Sequence, residues 1–375
     1  MKYFDNAAST KVFKSAADAA YFAMLNCYAN PSSLHNLGLK SNSIINSCRK
    51  TIAKTLNEDE DNFIFTSGAT ESINLAILGA AQKFSKLKKN KIVTSNIEHK
   101  ATSNCLKKLQ YENFKIVEIT PKNKEFYAED FADAVDDDCF LVSVMHVNNE
   151  NGLILPVEEI AKKVKEKNKN ILVHVDAAQS FLKIPLNLSN IDLCSVSAHK
   201  INAPKGIGAL YINKHTKIKP LMFGGGQEKR IRPGTQATAL ICAFEVAVKE
   251  NFLNMEKNFK HYTNLKKALI DQLKNVHNLN FNFTEKCVPY IVNISLKGVK
   301  SQVLMQFLEE KGFLVSAGAA CSKNFKNETI LNLKYDKTIA DSAIRISFGV
   351  FNNKLEVIEL AKAIAAAEKT LIKLF

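Results

Sequence analysis

From about residue 62 onward, short apolar runs alternate with longer stretches whose apolar positions recur at helical spacing. The runs at 63–65, 92–94, 116–119, 140–147 and 171–175 predict strands. So do those at 191–196 and 207–212. The stretches 70–84, 98–109 and 156–167 predict helices between them. Strand-then-helix alternation of this kind argues for a mostly parallel sheet covered by helices on both faces. Ahead of it lies an arm of small and polar residues, 1–11, and a helical pattern to about residue 25. The turn Asn30-Pro31-Ser32-Ser33-Leu34-His35 then opens a long helix reaching about residue 56, with Pro31 and the serines as its start signal. Beyond the turn Gly224-Gly225-Gly226, a helical region fills 238–274. Short strands at 290–295, 313–316 and 344–348 follow, and a last helix covers 355–374. The expectation is an α/β fold with a large domain over 12–250. A small α+β domain over 251–375 would take the N-terminal arm 1–11 with it.

Length and composition agree with two domains. The chain has 375 residues, 46% hydrophobic and 23% charged, the balance of a soluble globular protein. No apolar run reaches about 18 residues, and no charged-then-apolar leader opens the sequence, so no membrane span and a cytoplasmic location are expected. The net charge is +14. Its lysine clusters, at 83–91 and 162–169, lie on or beside helical stretches without interleaved aromatics. They read as solvated faces or as a docking surface for an acidic partner, not as a nucleic-acid platform. None of the eight cysteines forms a C-x-x-C pair or has metal-ligand spacing with a histidine, so no metal site is expected. Most lie in apolar runs and read as reduced core residues.

Candidate chemistry begins between the runs 191–196 and 207–212, at Ser197-Ala198-His199-Lys200-Ile201-Asn202-Ala203-Pro204-Lys205-Gly206. Lys200 sits on a tight connection. It is either a solvated turn lysine or a desolvated amine whose neutral form can make a Schiff base. Phe65-Thr66-Ser67-Gly68-Ala69-Thr70-Glu71-Ser72 passes from strand through glycine into a helix. A helix start exposes free N–H groups, so this is a cradle for one small phosphate, or else a simple helix cap. It lacks the nucleotide and dinucleotide fingerprints. His146-Val147-Asn148-Asn149-Glu150-Asn151-Gly152 and Val173-His174-Val175-Asp176-Ala177-Ala178-Gln179 stand at strand ends, where open α/β sheets collect ligands. Asp176 follows an apolar run; it is a helix N-cap or a buried carboxylate needing a cationic partner such as a ring nitrogen. Cys321 lies in Ser316-Ala317-Gly318-Ala319-Ala320-Cys321-Ser322, too small-sided for a core strand and followed by a polar, lysine-bearing stretch. By itself it is a structural cysteine or an ionisable loop thiol.

Phosphate cradle, buried acid, amide side chains and strand-end lysine are together the parts a pyridoxal phosphate site requires. Their order along the chain resembles the cysteine desulfurases of the NifS/IscS type, in the class V aminotransferase group of PLP fold type I. The matching segments run from Phe4-Asp5-Asn6-Ala7-Ala8 through Asn30-Pro31-Ser32-Ser33, Glu98-His99-Lys100-Ala101 and the motifs above. They continue to Gly224-Gly225-Gly226-Gln227-Glu228, Arg232-Pro233-Gly234-Thr235, 316–322 and Ile344-Arg345-Ile346-Ser347.

The resemblance implies a PLP-dependent enzyme that converts L-cysteine to L-alanine. Lys200 would hold pyridoxal 5'-phosphate as a Schiff base and move protons. His99 would stack on the ring and help transfer protons, Asp176 would pair with the ring nitrogen, and Gln179 would hydrogen-bond the ring oxygen, with Asn149 beside it reaching cofactor and substrate. Ala69, Thr70, Ser197 and His199 would hold the phosphate, and Ala198 would be a further cofactor-binding residue. Thr235 would complete the phosphate site of a neighbouring subunit, which requires a homodimer. Arg345 would clamp the substrate carboxylate with Asn30 or Asn149. Cys321 would be the nucleophile that takes the sulfur as a persulfide and passes it to an iron–sulfur scaffold or another acceptor protein, for cluster assembly or thiolation. The only metal contact implied is a cluster shared transiently between Cys321 and that scaffold.

Ala203, Asn151, Pro233 and Ala319 depart from the family's usual residues without removing a reactive group, and the span from Cys321 to Arg345 is short against the iron–sulfur branch. Selenocysteine lyase, another class V PLP enzyme and a catalytically silent sulfur-assembly scaffold remain the alternatives. Arginine is scarce, with only Arg49, Arg230, Arg232 and Arg345, in a chain that otherwise uses lysine. Where arginine is kept, a planar two-pronged donor is called for. That places Arg230 and Arg232 near the cofactor and subunit interface and leaves Arg49 as ordinary surface.

Overall fold

The computed structural model describes residues 1–85, 89–317 and 327–371. The chain opens with the short strand β1 (Lys2–Tyr3) and the helices α1 (Lys14–Asn26) and α2 (Asn36–Thr55). Then β2 (Phe63–Thr66), α3 (Ala69–Phe84), β3 (Lys91–Ser95), α4 (Lys100–Tyr111), β4 (Lys115–Ile119), α5 (Ala128–Ala134), β5 (Cys139–Met145), α6 (Val157–Lys167) and β6 (Leu172–Asp176) alternate. β7 (Leu193–Ser197) and β8 (Gly208–Ile212) close the sheet, and α7 (Thr238–Leu273) leads away from it. The remainder holds β9 (Leu279–Phe281), β10 (Ile291–Leu296), α8 (Ser301–Glu310), β11 (Phe313–Leu314), α9 (Glu328–Asn332), α10 (Lys337–Asp341), β12 (Ala343–Ser347) and α11 (Lys354–Leu371).

The large sheet has the order β2-β8-β7-β6-β5-β3-β4. Its pairings are parallel except for β8, which runs antiparallel to both β2 and β7. The reason is length: the link from Ser197 to Gly208 is too short for a helical crossover, so the chain turns straight back. β3, β5, β6, β7 and β8 are buried along their whole length, which is why they read as continuous apolar runs. One face packs on α1, α2 and α6 through residues such as Ile45, Ile52 and Ile160; the other packs on α3 and α4 through Ile73, Ile77 and Leu106.

A second core forms around the three-stranded sheet β12-β10-β9. The long helix α7 belongs to both: Ile241, Phe244 and Val248 pack on the large sheet, and Tyr262, Leu265 and Leu269 pack in the second core. The N-terminal arm belongs there too. β1 pairs in parallel with β11, and Phe4, with no exposed surface, meets Phe348 edge to face. The arm then crosses back, where Thr10 N donates to His199 O at 3.0 Å and Phe13 N to Asn202 O at 2.9 Å.

Several details differ from the sequence-based expectation. The helix after Asn30 begins at Asn36, and its cap is His35, whose Nδ1 accepts from Gly38 N at 3.3 Å; Pro31 and the serines only form the preceding turn. The run 313–316 gives a strand of two residues and a separate bridge from Ser316 to Arg345. The short elements α5, β9, α9 and α10 carry too few residues for a visible period. Arg49 is not ordinary surface. It donates from both Nη atoms to Glu228 at 2.9 Å, and its guanidinium lies over the Phe65 ring. The pair's side chains are 13% and 1% exposed.

Candidate active site

At the carboxyl ends of the strands a cavity of about 400 Å³ opens between the two cores. Lys200 closes the single 3-10 turn Ala198–Lys200 that follows β7. Its Nζ donates to Ala7 O at 2.6 Å and Ala8 O at 2.8 Å, so the N-terminal arm is held against it. It lines the cavity and is partly buried, which rules out a solvated turn lysine. Asp176, the last residue of β6, is 6% exposed, and its Oδ1 accepts from Ala178 N at 2.9 Å. Burial pushes this carboxyl above the usual range, against the opposing charges of His99 and Lys200. A cationic group beside it would restore the carboxylate.

His99 caps α4, its Nδ1 accepting from Ala101 N at 3.1 Å. In the neutral ring that leaves the proton on Nε2. Burial holds the imidazole below its ordinary value, Asp176 works against this, and Lys200 and Lys100 add to it, so the neutral form prevails near pH 7. Gln179 donates from Nε2 to Ala7 O at 2.8 Å, and its buried Oε1 has no partner within the protein.

The β2–α3 turn forms one wall of the cavity. Gly68 adopts φ 152° and ψ 179°, a conformation essentially reserved for glycine, and brings no side chain to cap the helix. The first intrahelical bond is from Ser72 N to Gly68 O at 3.1 Å, so the amides of Ala69 and Thr70 precede the helix's own bonding and face the cavity mouth. The backbone approach is close: a Cβ on Gly208 would stand 2.7 Å from Gly68 Cα. Burial alone would raise the Glu71 carboxyl, but hydrogen bonds from Arg232 and Ser67 hold it below its usual range. Arg232 Nε lies 2.8 Å from its Oε1 and Ser67 N donates to its Oε2 at 2.6 Å, so this carboxylate is held beside the turn with both oxygens engaged. Ser197 is buried at the end of β7. His199 meets Ser9 Oγ at 3.2 Å and is pushed down to about 4 by burial and then by the lysines around it. Ala198 is fully buried and holds the turn through its N–H on Ile207 O at 3.2 Å.

From β12, Arg345 reaches the cavity with 2% of its surface exposed. Its Nη2 is 2.7 Å from Asp5 Oδ1, its Nη1 donates to Asn149 O at 2.8 Å, and its Nε has no acceptor within the protein. Asn149 lines the same cavity, on a loop shaped by Asn148, whose Oδ1 accepts from Glu150 N and Asn151 N at 2.8 and 3.1 Å. One chain therefore gathers Lys200, Asp176, His99, Gln179, Ala69, Thr70, Ser197, His199, Asn149 and Arg345 around one space. Asn30 and Thr235 are exposed and lie outside it, on a face where Thr235 and Pro31 share a separate groove. Arg230 is exposed as well. Cys321 lies outside the described residues.

Sequence reasoning missed four groups here. Asp5 is the acid that holds Arg345, and only its place beside Phe4 in an otherwise small-sided arm marked it. Glu98 binds Met145 N at 3.0 Å and Ser95 Oγ at 2.5 Å through Oε1, and burial pushes its carboxyl up to about 8. Glu150 is 8% exposed and likewise raised by burial. Lys183 stands 4.9 Å over the Tyr290 ring, and burial, aided by the Lys200 charge, pushes it down to about 7. No spacing rule reports a carboxylate buried by a neighbouring loop. Among the described residues no three His, Cys, Asp or Glu side chains converge as a metal site.

The model of the family described as aminotransferase class-V matches residues 2–360. A protein named cysteine desulfurase IscS, from Vibrio vulnificus (strain YJ016), is 37% identical over 366 residues, covering 95% of this chain and 89% of its own. Among solved structures, one titled NifS-like protein superposes with a TM-score of 0.93 at 34% identity, over 100% of both chains. Another, titled SspA in complex with cysteine, gives a TM-score of 0.83 at 32% identity, over 93% of this chain and 99% of that one.

Proposed function

We propose, since this chain belongs to the aminotransferase class-V family, that it is a cysteine desulfurase that uses pyridoxal 5'-phosphate to convert L-cysteine to L-alanine. The residues fit that cofactor. The uncapped start of α3, with Ala69, Thr70, Ser197 and His199 around it, suits a phosphate. Asp176 is a buried acid in want of a cation, and Gln179, with its orphaned Oε1, lines the same cavity. When bound, pyridoxal phosphate supplies an electron sink conjugated to the substrate's α-carbon.

The chain's own groups would do the rest. Asp176 holds its partner nitrogen protonated. Lys200 would exchange the carbonyls of Ala7 and Ala8 for the cofactor it holds, and its amine would move the proton at the α-carbon. His99 stands by with a proton on Nε2. Arg345 turns its unpartnered Nε and its fork toward the substrate carboxylate, with Asn149 alongside. Cys321, as a thiolate, attacks the substrate sulfur. An S–S bond forms as the C–S bond breaks; the carbon keeps the bonding pair and takes a proton, giving alanine. The sulfur stays on Cys321 as a persulfide until an acceptor protein, such as an iron–sulfur scaffold, removes it. Asn30 and Thr235, exposed and away from their own cavity, would serve the cavity of a second copy, making the working unit a homodimer. Seven cysteines among the described residues are all unpaired, which suits a reducing compartment, the cytoplasm. No described helix is long and apolar enough to cross a membrane.

The observation that carries this reading is the convergence of Lys200, Asp176 and an uncapped helix start on one cavity that also holds a buried arginine. Replacing Cys321 by Ala tests it against a transaminase. Cysteine-to-alanine conversion should fall at least about 100-fold, the scale of losing a catalytic group. Undiminished sulfur release from the variant would overturn the assignment.

A further inference from the structure

We propose that Glu98 is a positioning residue: by bridging the ends of β3 and β5 it sets the place of the His99 ring on the wall of the reaction cavity. That the ring works there against a cofactor rests on the desulfurase reading. The β3–β5 ladder ends at the pair Thr94 and Ser143. One step beyond it, a side chain joins the two strands instead. Glu98 Oε1 accepts from Met145 N, in the last residue of β5, at 3.0 Å and from Ser95 Oγ, in the last residue of β3, at 2.5 Å. Met145 and His99 both line the reaction cavity. Glu98 and Ser95 line a second, smaller cavity and not the first. Glu98 therefore does not meet the reacting atoms, and any part it has in the reaction passes through its neighbours.

The turn around it is pinned on both sides. Asn96 N donates to Ile119 O at 3.1 Å, and Asn96 O accepts from Asn332 Nδ2 at 2.6 Å. Ile97 O accepts at 3.1 Å from Asn148 Nδ2, on the loop that also carries Asn149. Past the turn, His99 spends its Nδ1 on Ala101 N at the start of α4. Glu98 is the residue between these two anchorages, and its carboxyl ties the approach to His99 onto β5. The group suits that task. Burial pushes the carboxyl up to about 8, so near pH 7 it is mostly protonated. It can then hold the turn without a second negative charge near Asp176, which the cofactor nitrogen needs as its partner. Its Oε2 is buried with no partner in the protein, so both of its bonds to the strand ends fall on Oε1. A buried acid could brace a turn anywhere in a fold. This one stands one residue before His99 and holds Met145, and both of those face the reaction cavity.

Variants of the holoenzyme test it. Glu98→Ala should lower kcat for cysteine about tenfold to 100-fold and change KM less than about threefold, as a displaced proton carrier beside an intact carboxylate clamp would. The visible circular dichroism band of the bound cofactor should weaken as well, because it reports what lies against the ring. Glu98→Gln keeps an uncharged acceptor at Oε1 and should recover most of both losses. Ser95→Ala removes one of the two donors and should move kcat and the band the same way by a smaller step, which keeps the test readable if Glu98→Ala does not fold. In a His99→Ala background, Glu98→Ala should cost less than about a further twofold, since the two residues act as one unit. The proposal fails if the Glu98→Ala loss repeats in full in that background. It fails equally if only the thermal midpoint falls while kcat and the band hold, or if Glu98→Gln is as damaging as Glu98→Ala. A cofactor band that follows Glu98 without any sulfur release sinks only the desulfurase reading. Sulfur release that ignores Glu98 sinks only the role given to this residue.

Discussion

Arg345 is nearly wholly buried, and its guanidinium is only partly used by Asp5 and Asn149. A buried donor left without an acceptor costs roughly 1–3 kcal/mol, so the spare Nε points to a ligand that the fold anticipates. A carboxylate on this fork would make charge-assisted bonds that a point-charge ammonium cannot reproduce. Arg345→Lys should therefore raise the KM for cysteine about tenfold or more, at roughly 1.5–3 kcal/mol per lost bond, with a smaller change in kcat. Steady-state kinetics on cysteine decides it, and an unchanged KM removes Arg345 from the substrate site. At this scale the sequence was informative where a motif crowds small and reactive residues at a strand end, as around Lys200 and Asp176. It was silent on Asp5, Glu98 and Glu150, whose roles come from what packs over them.

Between elements, the pair Arg49–Glu228 ties α2 to the turn at Gln227–Arg230 and to β2, whose Phe65 N also donates to Glu228 at 2.8 Å. Arg49, expected as ordinary surface, instead holds a buried partner 179 residues away, a contact that no local pattern reports. Removing the cation strands a carboxylate that is 1% exposed. Arg49→Ala should cost about 3–5 kcal/mol in urea unfolding, the penalty of an uncompensated buried charge. A loss below about 0.5 kcal/mol, the usual range for surface changes, would contradict the burial. The strand and helix alternation was legible because most strands are buried on both faces and helices carry a clear period. The reversal of β8 was not written in its residues, which look like those of β7; it follows from the length of the link before it. The N-terminal arm's hydrogen bonds to Lys200 left no mark in the local pattern, since they join residues about 190 positions apart.

Over the whole molecule, an apolar surface stands out on α1 and beside it. Tyr21, Phe22, Met24, Leu25, Tyr28 and Leu34 are all exposed, Leu34 at 91%. A patch of this kind marks an interface more often than a solvated face. It adjoins the groove of Thr235 and Pro31, the two segments that find no cavity in their own chain. Sedimentation should give a dimer, and Tyr28→Asp with Leu34→Asp should shift it toward monomer and loosen the cofactor; a monomeric wild type with full cofactor retention would contradict the shared site. The central step of the proposed reaction is the move of sulfur from cysteine to Cys321. The direct measurement is a single turnover with L-cysteine, alanine quantified and the protein digested for mass spectrometry. One alanine per chain with a matching extra sulfur on the Cys321 peptide is the predicted result. Alanine without that persulfide, or a persulfide on another cysteine, would contradict it.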